Sequence, residues 1–148
     1  MTLVFGEGTP INLTATSGEY YLEGSLVMVT TNAVTIIDAD ESIAVGVVDQ
    51  KTVDAEQTAR AVVSGEKIGI WPLGCGKIVN VRSIDAQTYT VGCLVVNADA
   101  VDGACALTAS SSGDMVVGVY MGDGETTTAD GDLIPVLLSV TPDTADHA

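Results

Sequence analysis

Residues 43–49 read Ile-Ala-Val-Gly-Val-Val-Asp, and residues 115–121 read Met-Val-Val-Gly-Val-Tyr-Met. Both runs are short, apolar and rich in Val, which suits a pleated strand better than a helix. Both carry a glycine at the centre. A glycine inside a strand costs stability, so it marks a bulge, a sharp bend or a close approach of another backbone. Two such strands with the glycine in the same place predict two matching bends, as in a small barrel or a curved sandwich.

The match extends outward from these two strands. Gly24-Ser25-Leu26-Val27 answers Gly92-Cys93-Leu94-Val95, and Ala44-Val45-Gly46-Val47 answers Val116-Val117-Gly118-Val119. Ile68-Gly69-Ile70-Trp71-Pro72 answers Leu133-Ile134-Pro135-Val136 more weakly. The span between the first two landmarks is a little longer in the second copy. The copies are read as residues 24–71 and 92–140, inside one β domain covering 20–140.

Further strands are expected at Ser25–Thr31, Ala33–Ile37, Ala59–Val63, Lys67–Trp71, Lys77–Arg82, Cys93–Val96, Ala104–Thr108 and Leu133–Val140. Thr31-Asn32 reads as one hairpin turn and Ser64-Gly65-Glu66 as another. Pro135 cannot donate to a ladder, which places it at an edge or a bulge. Polar breaks fall at Asp38–Glu41, 50–58, Ala109–Asp114 and Gly122–Gly131. Residues 1–19 hold two short apolar patches, Leu3–Phe5 and Ile11–Thr16. Of these, Met1, Thr2, Leu3, Val4 and Phe5 read as an arm that contacts a neighbour or a larger assembly. The polar tail, Thr141–Ala148, is expected to be flexible.

Composition narrows the function classes. The chain has 148 residues, 47% of them hydrophobic but only 4% aromatic, with 16 Gly. That length supports one domain with a real core. Twenty acidic residues stand against 5 basic ones, a formal net charge of −15. Phosphate contacts need Lys or Arg, so nucleic acid is excluded as a partner, and so is an anionic membrane surface. An acidic shell over an apolar core fits a halophilic source, because such a surface stays hydrated where salt screens its repulsion, with an ordinary acidic protein as the alternative. With no basic leader and no long apolar run, a soluble protein made in a cytoplasm is expected.

The residues that could carry chemistry do not combine. Cys75, Cys93 and Cys105 are odd in number, form no CxxC pair, and read as free buried thiols. The only histidine, His147, lies beside the C-terminus, where a mobile tail cannot hold a base in place. Gly74-Cys75-Gly76-Lys77 has a glycine-lysine pair, but Ile78 stands where a phosphate loop needs Ser or Thr and Trp71 where it needs Gly. Asp38-Ala39-Asp40-Glu41, Asp123-Gly124-Glu125 and Asp130-Gly131-Asp132 lack the spacing of a calcium loop and read as solvated turns, with a bound cation at one of them, shared between subunits, as the alternative. A sugar cleft would need more aromatics than one Trp, one Phe and four Tyr. Asn12-Leu13-Thr14 fits a glycosylation sequon that recurs by chance. Trp71 reads as a core residue or an interface anchor. Met28, Met115 and Met121 read as core. No cofactor, no metal and no catalytic residue is assigned.

The phrase Gly92-Cys93-Leu94-Val95-Val96, Ala104-Cys105-Ala106-Leu107-Thr108, Met115–Tyr120 and Gly131-Asp132-Leu133-Ile134-Pro135-Val136 resembles the small capsid-decoration proteins of tailed phages. Gly24 to Trp71 looks like the same phrase, so the resemblance covers roughly residues 10–140. It rests on turns and strands. It implies an all-β barrel or sandwich on the outer surface of a capsid, trimeric, cementing the shell with the major capsid protein as partner. With the acidic composition, it looks like the decoration protein of a tailed virus of halophilic archaea. The scarcity of Lys and Arg departs from salt-bridged attachment and leaves apolar and main-chain contacts to do that work. Two other classes stay open: another β-rich virion piece, such as a turret, tail or receptor-binding module, and a small-ligand or enzymatic β domain.

Overall fold

Thr31 and Asn32 both take positive φ, 37° and 66°, the backbone a tight hairpin demands. They join Leu26–Thr30 (β2) to Ala33–Ile36 (β3). Ile11–Thr14 (β1), Gly46–Val48 (β4) and Lys67–Pro72 (β5) complete a five-stranded antiparallel sheet in the order β1-β5-β4-β2-β3. The computed structural model describes residues 10–37, 44–49, 62–98, 103–107 and 116–138. The Met1–Phe5 arm, the breaks at 38–41, 50–58 and 109–114, Met115, His147 and the tail lie outside them.

The second half repeats the first. Ile78–Arg82 (β6), Leu94–Asn97 (β8), Cys105–Leu107 (β9), Val116–Tyr120 (β10) and Leu133–Leu138 (β12) form a sheet in the order β6-β12-β10-β8-β9. Taken in chain order, this is the same topology. Thr88–Tyr89 (β7) and Thr126–Thr127 (β11) pair as a small separate ribbon. β11 falls in the Gly122–Gly131 break and β7 in a stretch given no element, because two-residue strands carry no alternation to detect.

Equivalence holds at the level of single hydrogen bonds. Gly24 N donates to Val48 O and Gly92 N to Tyr120 O. Ser25 N donates to Leu22 O and Cys93 N to Thr90 O. Ala15 bridges Val34 in parallel, as Ser83 bridges Cys105, so each sheet curls until its two ends touch at one bridge without closing into a barrel. The units therefore begin at β1 and β6, earlier than the repeat read from the sequence. In the last strands the register equates Ile68 with Ile134 and Ile70 with Val136, one residue away from the sequence alignment.

Gly46 and Gly118 do what a strand glycine is expected to do. The pairing of β10 with β8 skips a residue between Val116 and Gly118, which is a bulge at Val117. A Cβ on Gly46 would meet Trp71 O at 2.7 Å, and one on Gly118 would meet the backbone of Leu137 and come within 2.8 Å of Val136 Cγ1. Pro135 corrects the expectation of an edge. It lies in β12, between β6 and β10. The ladder to β10 ends at Val136, and past it Pro135 only accepts, from Met121 N at 3.0 Å. No donor is required there, so a central strand tolerates it.

The interior has three parts, the smallest of them made by Ala98, Ala104 and Ala106. Tyr21, Val27, Val34, Val48, Ile68 and Ile70 fill the curl of the first unit. A larger core joins the filling of the second unit to the outer face of the first, where Leu26 and Val47 are fully buried. Met28 packs on this core partly buried, whereas Met121 is exposed just beyond the end of β10, contrary to its reading as core.

Candidate functional site

Among the described residues, Cys75, Lys77, Trp71, Asp132 and Cys105 are each engaged in a turn, a ring contact or packing. Gly74–Lys77 is the tight connection between the units: Cys75 N donates to Pro72 O, Lys77 O accepts from Leu138 N, and a strand, not a helix, follows. A phosphate loop delivers its anion to a helix N-terminus, which this connection lacks. Lys77 Nζ instead sits 5.6 Å from the centre of the Trp71 ring, a cation–π contact. Trp71 itself is half-buried against the core between the units and donates from Nε1 to Asp49 Oδ1 at 3.1 Å. The tryptophan thus anchors a seam inside this chain.

Asp130-Gly131-Asp132 is a turn that caps itself. Asp132 Oδ2 accepts from Ala129 N at 2.8 Å, and Gly131 O accepts from Arg82 Nη1 at 3.2 Å. Glu66 accepts from Val63 N in the same way in the first unit. Among the described residues no group of three His, Cys, Asp or Glu side chains is placed to hold a metal ion.

The densest polar cluster lies inside the second unit. Ser83 Oγ is 2.7 Å from Tyr89 OH and donates to Ile84 O; Thr128 Oγ1 donates to Ile84 O; Cys105 Sγ stands 3.8 Å from Tyr89 OH. Burial pushes the Cys105 thiol up to about 12 and raises Tyr89 as well. A thiol held protonated is a poor nucleophile. The hydroxyls satisfy one another and nearby carbonyls, an arrangement that specifies packing. Cys75 is buried too, Cys93 half-buried, and all three thiols are free.

What remains is surface, and it is unevenly covered. Arg82 N donates to Gly24 O, and Gly103 accepts from Leu26 N and donates to Ile37 O. These bonds seat the second unit on the outer face of the first. The matching face of the second unit carries Val91, Gly92 and Leu94, with Val91 59% and Leu94 39% exposed. Gly92 and Leu94 read in the sequence as part of the repeat, with no interface assigned to this face. Its signal was Tyr21-x-x-Gly24-x-Leu26-Val27 against Tyr89-x-x-Gly92-x-Leu94-Val95, a longer match than the one first read. Among known proteins, no family model and no curated protein matches this chain.

Proposed function

We propose that the protein is a structural virion component that decorates and stabilises the outer surface of a viral capsid as a homotrimer, with the major capsid protein as its partner. The observation that carries this reading is the correspondence of phrase and strand. The segments that resemble capsid-decoration proteins fall on β8, β9, β10 and β12 of one curled sheet, and the first-half phrase falls on the equivalent strands. The described thiols, Trp71, Lys77 and Asp132 are engaged in turns and packing, which supports a reading without catalysis. With 20 acidic and 5 basic residues, attachment rests on apolar and main-chain contacts in strong salt.

The test is co-sedimentation, at high salt, of the purified protein with expanded capsids stripped of decoration. Saturable binding that raises the capsid's melting temperature supports the reading. A folded protein that neither binds nor stabilises such capsids overturns it. The acidic shell also predicts that thermal stability rises between about 0.1 M and about 3 M KCl, as screening removes self-repulsion.

A further inference from the structure

Two equivalent faces of this molecule have opposite fates. On the first unit, Leu26 is fully buried, Gly24 O accepts from Arg82 N at 2.9 Å, and a Cβ on Gly24 would meet Arg82 N at 2.9 Å. On the second unit, Leu94 takes the place of Leu26 and Gly92 that of Gly24. Among the described residues, Gly92 has nothing within 4 Å of the position a Cβ would take, and no backbone group donates to its carbonyl. Val91, 59% exposed, stands where the first unit has Glu23.

The covering surface is duplicated as well. The second unit covers the first with Asn80 and Arg82 of β6, Leu133 of β12 and the turn at Gly103. Register places Asn12, Thr14 and Lys67 of the first unit at the positions of Asn80, Arg82 and Leu133. Asn12, Lys67 and the hairpin tip at Asn32 are exposed, and Asn32 shares the positive φ of Gly103. Among the described residues, one chain therefore holds one occupied joint, one uncovered apolar socket on its second unit, and one uncovered covering edge on its first.

We infer that the Val91–Gly92–Leu94 face is a docking site for a second copy of this chain, which enters by its β1 edge and repeats between molecules the joint already made between the units. The occupant is argued from continuity with that joint. The socket fits the unit that covers its twin, and only another copy offers such a unit unengaged. Contact of this kind is head-to-tail, so it closes into a ring or runs on as a filament. The joint is mainly apolar and main-chain in character, with one side-chain bond, from Asn80 Nδ2 to Glu23 Oε1 at 3.4 Å, that Val91 cannot repeat, and in a chain of net charge −15 it forms best where salt screens repulsion.

The test is analytical ultracentrifugation of the full chain at high salt. It compares wild type with a socket variant, Val91→Glu/Leu94→Glu, and an edge variant, Asn12→Glu/Lys67→Glu. All four positions are exposed, and circular dichroism verifies that both variants fold. Wild type is expected to assemble, and each variant to dissociate with a dissociation constant raised about thirtyfold or more, the scale of a central interface side chain. Mixed together, the two variants should form one-to-one dimers and no larger species, because each retains one intact face. The inference is overturned by a monomeric wild type, by variants that assemble like wild type, or by a mixture that stays monomeric. It is equally overturned if deleting 1–9 or 139–148 exposes the socket and starts assembly, since the chain then covers itself. Capsid binding is a separate readout, so loss of the decoration reading leaves this measurement intact.

Discussion

The first unit is filled almost wholly by hydrocarbon, and the second is not. Ala15, Val34 and Val62 of the first are replaced by Ser83, Cys105 and Thr128 in the second. Tyr21 and Tyr89 are equivalent, yet Tyr21 OH donates to the carbonyl of Val34 while Tyr89 OH pairs with Ser83 Oγ. Many backbone bonds are nonetheless shared by the two units. Gly18 N donates to Val62 O in one unit and Ala86 N to Thr128 O in the other. The fold is thus held by ladder register, by two strand glycines and by turn positions. The filling can turn polar as long as every hydroxyl finds a partner.

The largest effect that could break this equivalence is at the strand glycines. Gly46→Ala and Gly118→Ala each force a methyl group against the neighbouring strand's backbone. Each is expected to cost about 3 kcal/mol or more, measured by denaturant unfolding at fixed salt. Clearly unequal losses would show that the two bends do different work. Next come the turn glycines. Both Gly24 and Gly92 have positive φ, 81° and 88°. Gly92→Ala, in open space, should cost about 1–2 kcal/mol for that backbone alone. Gly24→Ala should cost more, because its methyl group also meets Arg82 N. Equal costs would mean that the joint between the units yields easily.

The polar filling gives smaller effects. Tyr89→Phe and Ser83→Ala should each cost about 1 kcal/mol, and the double variant less than their sum, because removing both partners leaves no orphaned hydroxyl between them. Strict additivity would deny the network. Comparable or smaller is Cys105→Val, which installs the residue of the first unit and should change stability near neutral pH by less than about 1.5 kcal/mol. Its effect should grow in alkali. The thiol is raised from 9.0 to about 12 in the fold, so between those values the unfolded chain has lost a proton that the folded chain keeps. Stability is whole below pH 9.0 and falls as pH rises toward about 12, and the valine variant escapes this thiol's share of the loss. Parallel alkaline unfolding curves for the two proteins would sink that account.

Much of the fold was legible in local pattern. Val-rich runs, the Thr31-Asn32 turn and the matched glycines gave the strands, a hairpin and the duplication, since each is a short-range constraint on φ/ψ and pleat. Three features were not legible. The ribbon of β7 with β11 was too short to show alternation. Pro135 sits in a central strand because a long-range ladder happens to end beside it. Trp71 could be read as core or interface, and the fold places it at an interface within the chain, held by Asp49 and Lys77.

The sequence by itself determined that the chain is all-β and built twice from one phrase, because strand propensity, turn glycines and spacing act within a few residues. Only the tertiary structure decided which copy's outer face is covered. Gly-x-Leu-Val occurs at 24–27 and again at 92–95, and Leu26 is buried where Leu94 is 39% exposed. The same local sequence takes both fates because burial depends on what arrives from elsewhere in the chain, and the second unit can cover the first while nothing in the described chain follows to cover the second.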